Sequence, residues 1–484
     1  MGNRLASPQA ADGASASEPG SDGGRGGAAP RLASPQAADL AASLAARLGP
    51  VTVEGLARLS GGASRETWRL DAIEDDGTRH PLILRRDPPG RPSRPGGMTL
   101  EALSIRAATT AGLRVPEVLV HSESPSPWET AGMVMRVVEG EALARRILRD
   151  DEFAIAREGL VGDCARFLAG LHAIDPDSVP GLPSNDPIIE LRQIFELADS
   201  TPTPTFELAF GWLEANRPPA RPDVIVHGDF RLGNLLVGAD GLTAALDWEL
   251  VHTGNPVEDL GWLCTKAWRF GSPLPVAGVG GRDELLAAYR AAGGADISLD
   301  ELRWWEVLNT LRWGAMCVGQ GAAHTSGIAR SVELAAVGRR ACEQEWDLLL
   351  LLAPDAAERH RADEPPVGDG NELHGRPTAA ELLEAVEEFL RNDVMPPTSG
   401  RLSFHARVAA NVVAMVAREL SSGPAQTVAR AADLAALGVG SEAELAAAIA
   451  DGRFDGDVGA LHDILAAGVV AKLAVANPKY LLQR

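Results

Sequence analysis

Asp229, Asn234 and Asp247 lie within VIVHGDFRLGNLLVGADGLTAALDWE, residues 224–249. Val224, Ile225 and Val226 form a β-branched run suited to a buried strand. Leu235 to Val237 and Leu242 to Leu246 read as the arms of a hairpin around Gly238-Ala239-Asp240-Gly241. Closing that hairpin brings Asp247 beside Leu232 to Asn234, with Asp229 in the loop just before. Two carboxylates and a carboxamide then converge, which suits phosphoryl transfer. One Asp orients or deprotonates an attacking hydroxyl, while an Asn and a second Asp hold Mg²⁺ against nucleotide phosphates. Magnesium takes hard oxygen ligands and keeps waters, so one amide oxygen and one carboxylate suffice from the protein.

Such a site needs walls. From Val51 the segments VEGLARLS, ETWRLDAI and HPLILRR, separated by SGGASR and DDGTR, predict an antiparallel three-strand meander. A Pro/Gly-rich loop over 87–97 precedes LEALSIRAATTAGL, a helix ending near Gly112, and then the strand candidates VLVHS and GMVMRVVEG. Five strands and one helix make a small lobe, and from about Glu141 the chain turns mostly helical. In SGGASRETW, Gly61 and Gly62 permit backbone N–H groups to approach phosphate closely. No GK[ST] follows, so this is not a Walker loop, and a plain hairpin turn would use the same residues.

HGDFRLGNLL followed by LDWE resembles the signature of the aminoglycoside phosphotransferase-like kinases, relatives of choline kinases and distant relatives of protein kinases. The resemblance spans roughly residues 50–350 and implies an α+β fold that is bilobal and protein-kinase-like, with a small five-stranded antiparallel N-lobe and a mostly helical C-lobe. It implies ATP and Mg²⁺ as cofactors and the hydroxyl of a small molecule as acceptor. Residue by residue it makes Asp229 the catalytic base, Asn234 and Asp247 the metal ligands, and His227 and Asp259 supports of the catalytic loop. Gly61, Gly62, Ser64, Arg85 and Glu101 would serve the nucleotide. Arg85 stands where the family carries lysine, with Glu101 its expected partner; arginine keeps the charge but offers a planar fork instead of a point charge. LRRDPPG and GNPVEDLGWL are similar to the branch of kinase-like domains linked to acyl-CoA dehydrogenases, which suggests a hydroxyacyl thioester or related catabolic intermediate as acceptor. An aminoglycoside acceptor is the alternative, for which Glu249, Glu258 and Asp259 would supply an acidic cleft. A nucleotide-binding pseudokinase that presents its C-terminal helices to a partner is a third reading, opposed by the intact Asp229, Asn234 and Asp247.

The 484 residues exceed what one core usually organises, and a formal net charge of −21 argues against nonspecific nucleic-acid binding. No stretch is an uninterrupted apolar run of membrane-spanning length, and the N-terminal residues lack a signal peptide's apolar core, so a cytoplasmic protein is expected. The four cysteines form no CxxC pair, which leaves them as buried thiols. Residues 1–38 read as a disordered low-complexity tail in which RLASPQAAD occurs at 4–12 and again at 31–39. The N-lobe is expected over 39–140, the C-lobe over 141–353, a linker over 354–375 and a helical domain over 376–484. In that last region Thr378 and Glu381 suggest a capping box, followed by Leu382, Leu383, Val386, Phe389 and Leu390 on one face. A second helix carries Phe404, Val408, Val412, Met415 and Leu420 until SSGP stops it, and two more complete a bundle with its own core. Its helices resemble an uncharacterised domain fused to such kinases, the expected place for self-association or a protein partner.

Overall fold

The computed structural model describes residues 34–59, 65–88, 96–123, 128, 130–329, 332–360, 379–454 and 458–482. Gly61, Gly62 and Ser64, the tail over 1–33, Thr378 and most of the expected linker lie outside the described residues. Two compact units emerge, one of 1–184, 221–263 and 279–297, the other of 185–220, 264–278 and 298–484.

The first unit opens with helix α1 (Ser34–Leu48), which begins inside the second copy of the repeat. Strands β1 (Val51–Arg58), β2 (Glu66–Glu74) and β3 (Arg79–Arg86) form the expected meander. After helix α2 (Gly97–Thr110), β4 (Val118–Ser122) and β5 (Gly132–Arg136) complete a five-stranded antiparallel sheet of order β1-β2-β3-β5-β4. Side chains alternate across β2, so Trp68, Leu70 and Ala72 point inward and meet Leu82 and Leu84 of β3 and Leu40 and Leu44 of α1. Helices α3 (Ala144–Arg149) and α4 (Ala154–His172) follow. After α5 (Pro187–Leu197) and α6 (Pro204–Ala215), which belong to the second unit, come β6 (Val224–Val226), β7 (Leu235–Gly238), β8 (Gly241–Ala245) and β9 (His252–Gly254). The β7–β8 hairpin is the expected one. The partner of β6 is β9, which local turn chemistry does not announce: Val224 faces Gly254 and Val226 faces His252. Helices α7 (Val257–Cys264) and α8 (Arg282–Ala291) complete this unit.

The second unit is helical: α9 (Leu299–Thr325), α10 (Val332–Arg339), α11 (Cys342–Leu352), α12 (Pro354–Arg359), α13 (Ala379–Phe389), α14 (Gly400–Ala436), α15 (Glu442–Ala450) and α16 (Val458–Ala476). Helices α9 and α10 approach so closely that a Cβ on Gly338 would sit 2.5 Å from the Cα of Gly321.

Three expectations for the C-terminal helices are corrected. They do not keep a core to themselves: Trp346, Leu349, Ala353 and Ala357 of the preceding segment join Leu445, Leu461, Leu465, Val469 and Leu473 in one cluster. Pro424 does not end its helix, because α14 is tied along its length to α16. Arg418, Gln426 and Arg430 donate side-chain hydrogen bonds to the carbonyls of Val475, Ala471 and Ile464. Those tertiary bonds outweigh the missing N–H and the ring clash of an interior proline, of order 3 kcal/mol. Leu382, Val386, Phe389 and Leu420 are exposed, whereas small Ala406 and Ala410 join Met415 as the buried residues of that stretch, because close helix contact favours short side chains there. Helix α16 has the length and apolarity of a membrane span, but its core face packs in the cluster above and its Asp463 and Lys472 pair with Arg359 and Glu345. All four cysteines are buried free thiols.

Candidate active site

The loop between β6 and β7 begins with a backbone only glycine accommodates. Gly228 has φ 80°, and a Cβ there would lie 2.5 Å from the Leu250 carbonyl oxygen. Asp259 fixes this loop from below, its Oδ2 accepting from the His227 N–H at 2.8 Å and its Oδ1 from the Gly228 N–H at 3.0 Å. His172 of α4 reaches Asp259 Oδ2 through Nε2 at 3.2 Å and the Tyr289 hydroxyl through Nδ1 at 2.8 Å. Asp259 is wholly buried, so two N–H donors and an imidazole compensate its lost hydration. His227 is equally buried. Its Nδ1 accepts from the Asp229 N–H at 3.2 Å, and its ring lies against Trp248 with centroids 4.6 Å apart. Burial lowers its pKa despite nearby carboxylates, so it stays neutral as a brace of the turn.

Asp229 is 1% exposed. Its Oδ1 accepts from the Trp262 indole at 2.8 Å and from Arg231 Nε at 2.9 Å, and its Oδ2 from Asn234 Nδ2 at 2.6 Å. Asn234 Nδ2 also donates to the Asp229 carbonyl at 3.0 Å, which commits the amide nitrogen inward and leaves Oδ1 as the atom for a hard cation. The hairpin brings Asp247 alongside, and Leu246 N–H donates to the Asn234 carbonyl at 2.8 Å. Asp247 holds φ 65°, a left-handed conformation that costs an ordinary residue of order 1 kcal/mol and that collects at functional sites.

Across from the hairpin, Arg85 Nη2 donates to Asp247 Oδ1 and lies 3.6 Å from Glu249 Oε2, while Nη1 reaches Glu101 Oε2 at 3.4 Å. The expected Arg85–Glu101 pair exists, but Glu101 gives its other oxygen to Arg65, whose Nε is 3.0 Å from Asp87. Burial raises the cost of charging Asp247, yet the Arg85 guanidinium outweighs it and holds the carboxyl below its usual range. Glu249 is pushed up to about 7 by burial and by Asp247, partly offset by Arg85 and Arg65. Among the described residues no three His, Cys, Asp or Glu side chains form a metal cluster. The donors here, an amide oxygen and a carboxylate, fit Mg²⁺ that arrives on a polyphosphate, whose oxygens complete the shell.

The structure therefore brings together Asp229, Asn234, Asp247, Arg85, Glu101, His227 and Asp259. Sequence reasoning missed Arg65, Arg231 and Trp262. Arg231 lies inside the quoted motif, whereas Trp262 follows Asp259 by three residues, one helical turn.

The family model described as "Phosphotransferase enzyme family" (APH) matches residues 55–305, more than half of the chain. A second, "Domain of unknown function (DUF6285)", matches residues 396–480. Acyl-CoA dehydrogenase family member 11 of Gallus gallus is 25% identical over 356 residues, covering 67% of this chain and 44% of that protein. Acyl-CoA dehydrogenase family member 10 of Mus musculus is 29% identical over 207 residues, 40% of this chain and 19% of that protein. The chain thus spans less than half the length of these relatives. The crystal structure of a protein assigned as an aminoglycoside phosphotransferase from Ralstonia eutropha superposes with TM-score 0.51 at 21% identity, covering 65% of this chain and 97% of that one. That likeness shows the kinase-like fold.

Proposed function

This chain belongs to the APH phosphotransferase enzyme family, and from that premise we propose that it transfers the γ-phosphoryl group of ATP to a hydroxyl of a small molecule. The observation that carries the reading is the convergence of Asp229, Asn234 and Asp247 at the hairpin mouth. Asp229 orients the acceptor hydroxyl for in-line attack and takes its proton. Asn234 through Oδ1 and Asp247 are the residues that would hold Mg²⁺, which when bound would neutralise phosphate charge. Arg85, held between Glu101 and Asp247, offers its fork to the phosphates in place of the usual lysine. Gly61, Gly62 and Ser64, between β1 and β2 in the sequence, are the further candidates for phosphate contact. A cytoplasmic setting is part of this reading.

We favour a hydroxyacyl thioester or related catabolic intermediate as the acceptor. The relatives carrying acyl-CoA dehydrogenase names support that class, and so does the use made of nearby carboxylates. A polycationic aminoglycoside calls for accessible acidic groups. Asp259 is spent on the catalytic loop, Glu258 is buried against His252 at 3.2 Å, and Glu249 lies beside Arg85. The three residues that would have made an acidic cleft are engaged internally.

The test is calorimetry of Mg·ATP binding to the wild type and Asp247→Ala, with ATP turnover against hydroxyacyl thioesters, other hydroxylated metabolites and aminoglycosides. Metal-dependent binding abolished by Asp247→Ala, with turnover on the thioesters, supports the reading. Absence of nucleotide binding sinks it, and turnover confined to aminoglycosides replaces the acceptor.

A further inference from the structure

We propose that Trp262 is a positioning residue of the phosphoryl transfer, its indole N–H occupying Oδ1 of Asp229 so that Oδ2 is the oxygen that receives the acceptor's proton. The inference rests on the proposed function and names which atom of the base reacts. An ionised carboxylate has about four lone-pair sites. Trp262 Nε1 at 2.8 Å and Arg231 Nε at 2.9 Å fill Oδ1, and Asn234 Nδ2 at 2.6 Å fills half of Oδ2. One acceptor position remains, on Oδ2, beside the residue that would hold the metal.

Trp262 reaches this contact from the same helical turn as Asp259, because residues three apart on a helix share a face. Asp259 grips the backbone of the loop at His227 and Gly228, and Trp262 grips the side chain of its third residue. Helix α7 thereby fixes both the path of the loop and the rotamer of Asp229. The donor is neutral and holds its proton far more tightly than a carboxylic acid, so it orients the carboxylate without protonating it. In the reaction the acceptor's O–H bond breaks and its proton passes to Oδ2. The acceptor oxygen bonds the γ-phosphorus, and the bond from that phosphorus to the β–γ bridging oxygen breaks with its electron pair leaving on ADP.

A rival account makes Trp262, 1% exposed, merely a large core side chain. Two measurements on the full-length protein separate them. In ¹⁵N-tryptophan-labelled protein, the Trp262 indole resonance, assigned by its disappearance in Trp262→Phe, should move upfield in Asp229→Asn, and an unmoved resonance overturns the contact. ADP release from Mg·ATP, with water as the acceptor, should fall about tenfold in kcat in Trp262→Phe while AMP-PNP affinity and the KM for ATP stay within about twofold. Leu263→Ala, a cavity in the same helix, should lower thermal stability without that selective loss of kcat. An unchanged kcat in Trp262→Phe, or an equal kcat loss in Leu263→Ala, overturns the inference and leaves the kinase reading standing. A wild type that binds no Mg·ATP overturns both. If Trp262→Phe does not fold, the Trp262 indole resonance is assigned in the wild type by sequential correlation from the labelled backbone, and its shift between the wild type and Asp229→Asn decides the question.

Discussion

Arg85 and Asp247, 162 residues apart in the chain, are joined by a guanidinium–carboxylate hydrogen bond. The same guanidinium leans on Glu101, which in turn holds Arg65. One basic residue of the sheet is thereby tied to the hairpin that would carry the metal and, through Glu101 of α2, to a second arginine just before β2.

Removing the charge of Arg85 should cost nucleotide affinity more than stability. Arg85→Gln leaves Asp247 and Glu101 without their shared cation and takes a fork away from the phosphates. We expect AMP-PNP affinity measured by calorimetry to fall at least about tenfold. Glu101→Gln should instead act on the fold. It leaves two largely buried guanidiniums without their bridging anion, a loss of about 3 kcal/mol in urea unfolding.

Gly228→Ala should abolish the loop outright. The added Cβ meets main-chain oxygen at 2.5 Å on a residue with φ 80°, so neither a rotamer change nor a flexible neighbour relieves it. A loss of about 3 kcal/mol or more in urea unfolding, with no ATP turnover, is the expected result.

These sites differ in how much of them the sequence carries. The hairpin was legible because strand, turn and strand are contiguous, and period-two alternation with Gly238 and Gly241 specifies them locally. Asp229, Asn234 and Asp247 followed from it. The pairing of β6 with β9 was not, since three-residue strands have too little pattern and their partner is set by tertiary closure. Arg65 reaches Glu101 across 36 residues and Trp262 reaches Asp229 across 33, contacts for which spacing offers no rule. Pro424 misled for the opposite reason: a strong local signal was overridden by packing against α16.

The N-terminus of α5 offers a pH test away from the site. Asp186 caps it, accepting from Ile188 N–H at 2.9 Å, and pairs with Arg217 at 2.7 Å. The bond from Arg217 and the capping N–H groups lower its pKa, with burial opposing. A lowered folded value means stability present in full above the unfolded value of about 3.9 and lost as pH falls through the folded one. The stability difference between wild type and Asp186→Asn should therefore be flat from pH 7 to about 5, near 1 kcal/mol for this partly exposed group, and shrink below about pH 4. A difference that grows on acidification would contradict the pairing.

Helix α11 predicts what happens when the C-terminal helices are removed. Its Glu343, Glu345 and Asp347 are all buried, and each takes a partner from the last helical segment: Asn477 Nδ2 at 2.8 Å, Lys472 Nζ at 2.9 Å and the Tyr480 hydroxyl. Truncation after residue 360 strips all three together with the apolar cluster around Trp346. Each carboxylate keeps one partner, Arg340, Thr203 and Lys266 in turn, but losing the other together with that apolar burial is costly, so the truncated chain should aggregate or show a large loss of stability instead of behaving as a free-standing kinase. Tyr480→Phe tests the same contact gently. It removes one donor from Asp347, which keeps Lys266 at 2.9 Å, and should cost about 1–3 kcal/mol in urea unfolding without altering ATP turnover. A truncated chain with wild-type stability would mean that α11 does not depend on the C-terminal helices.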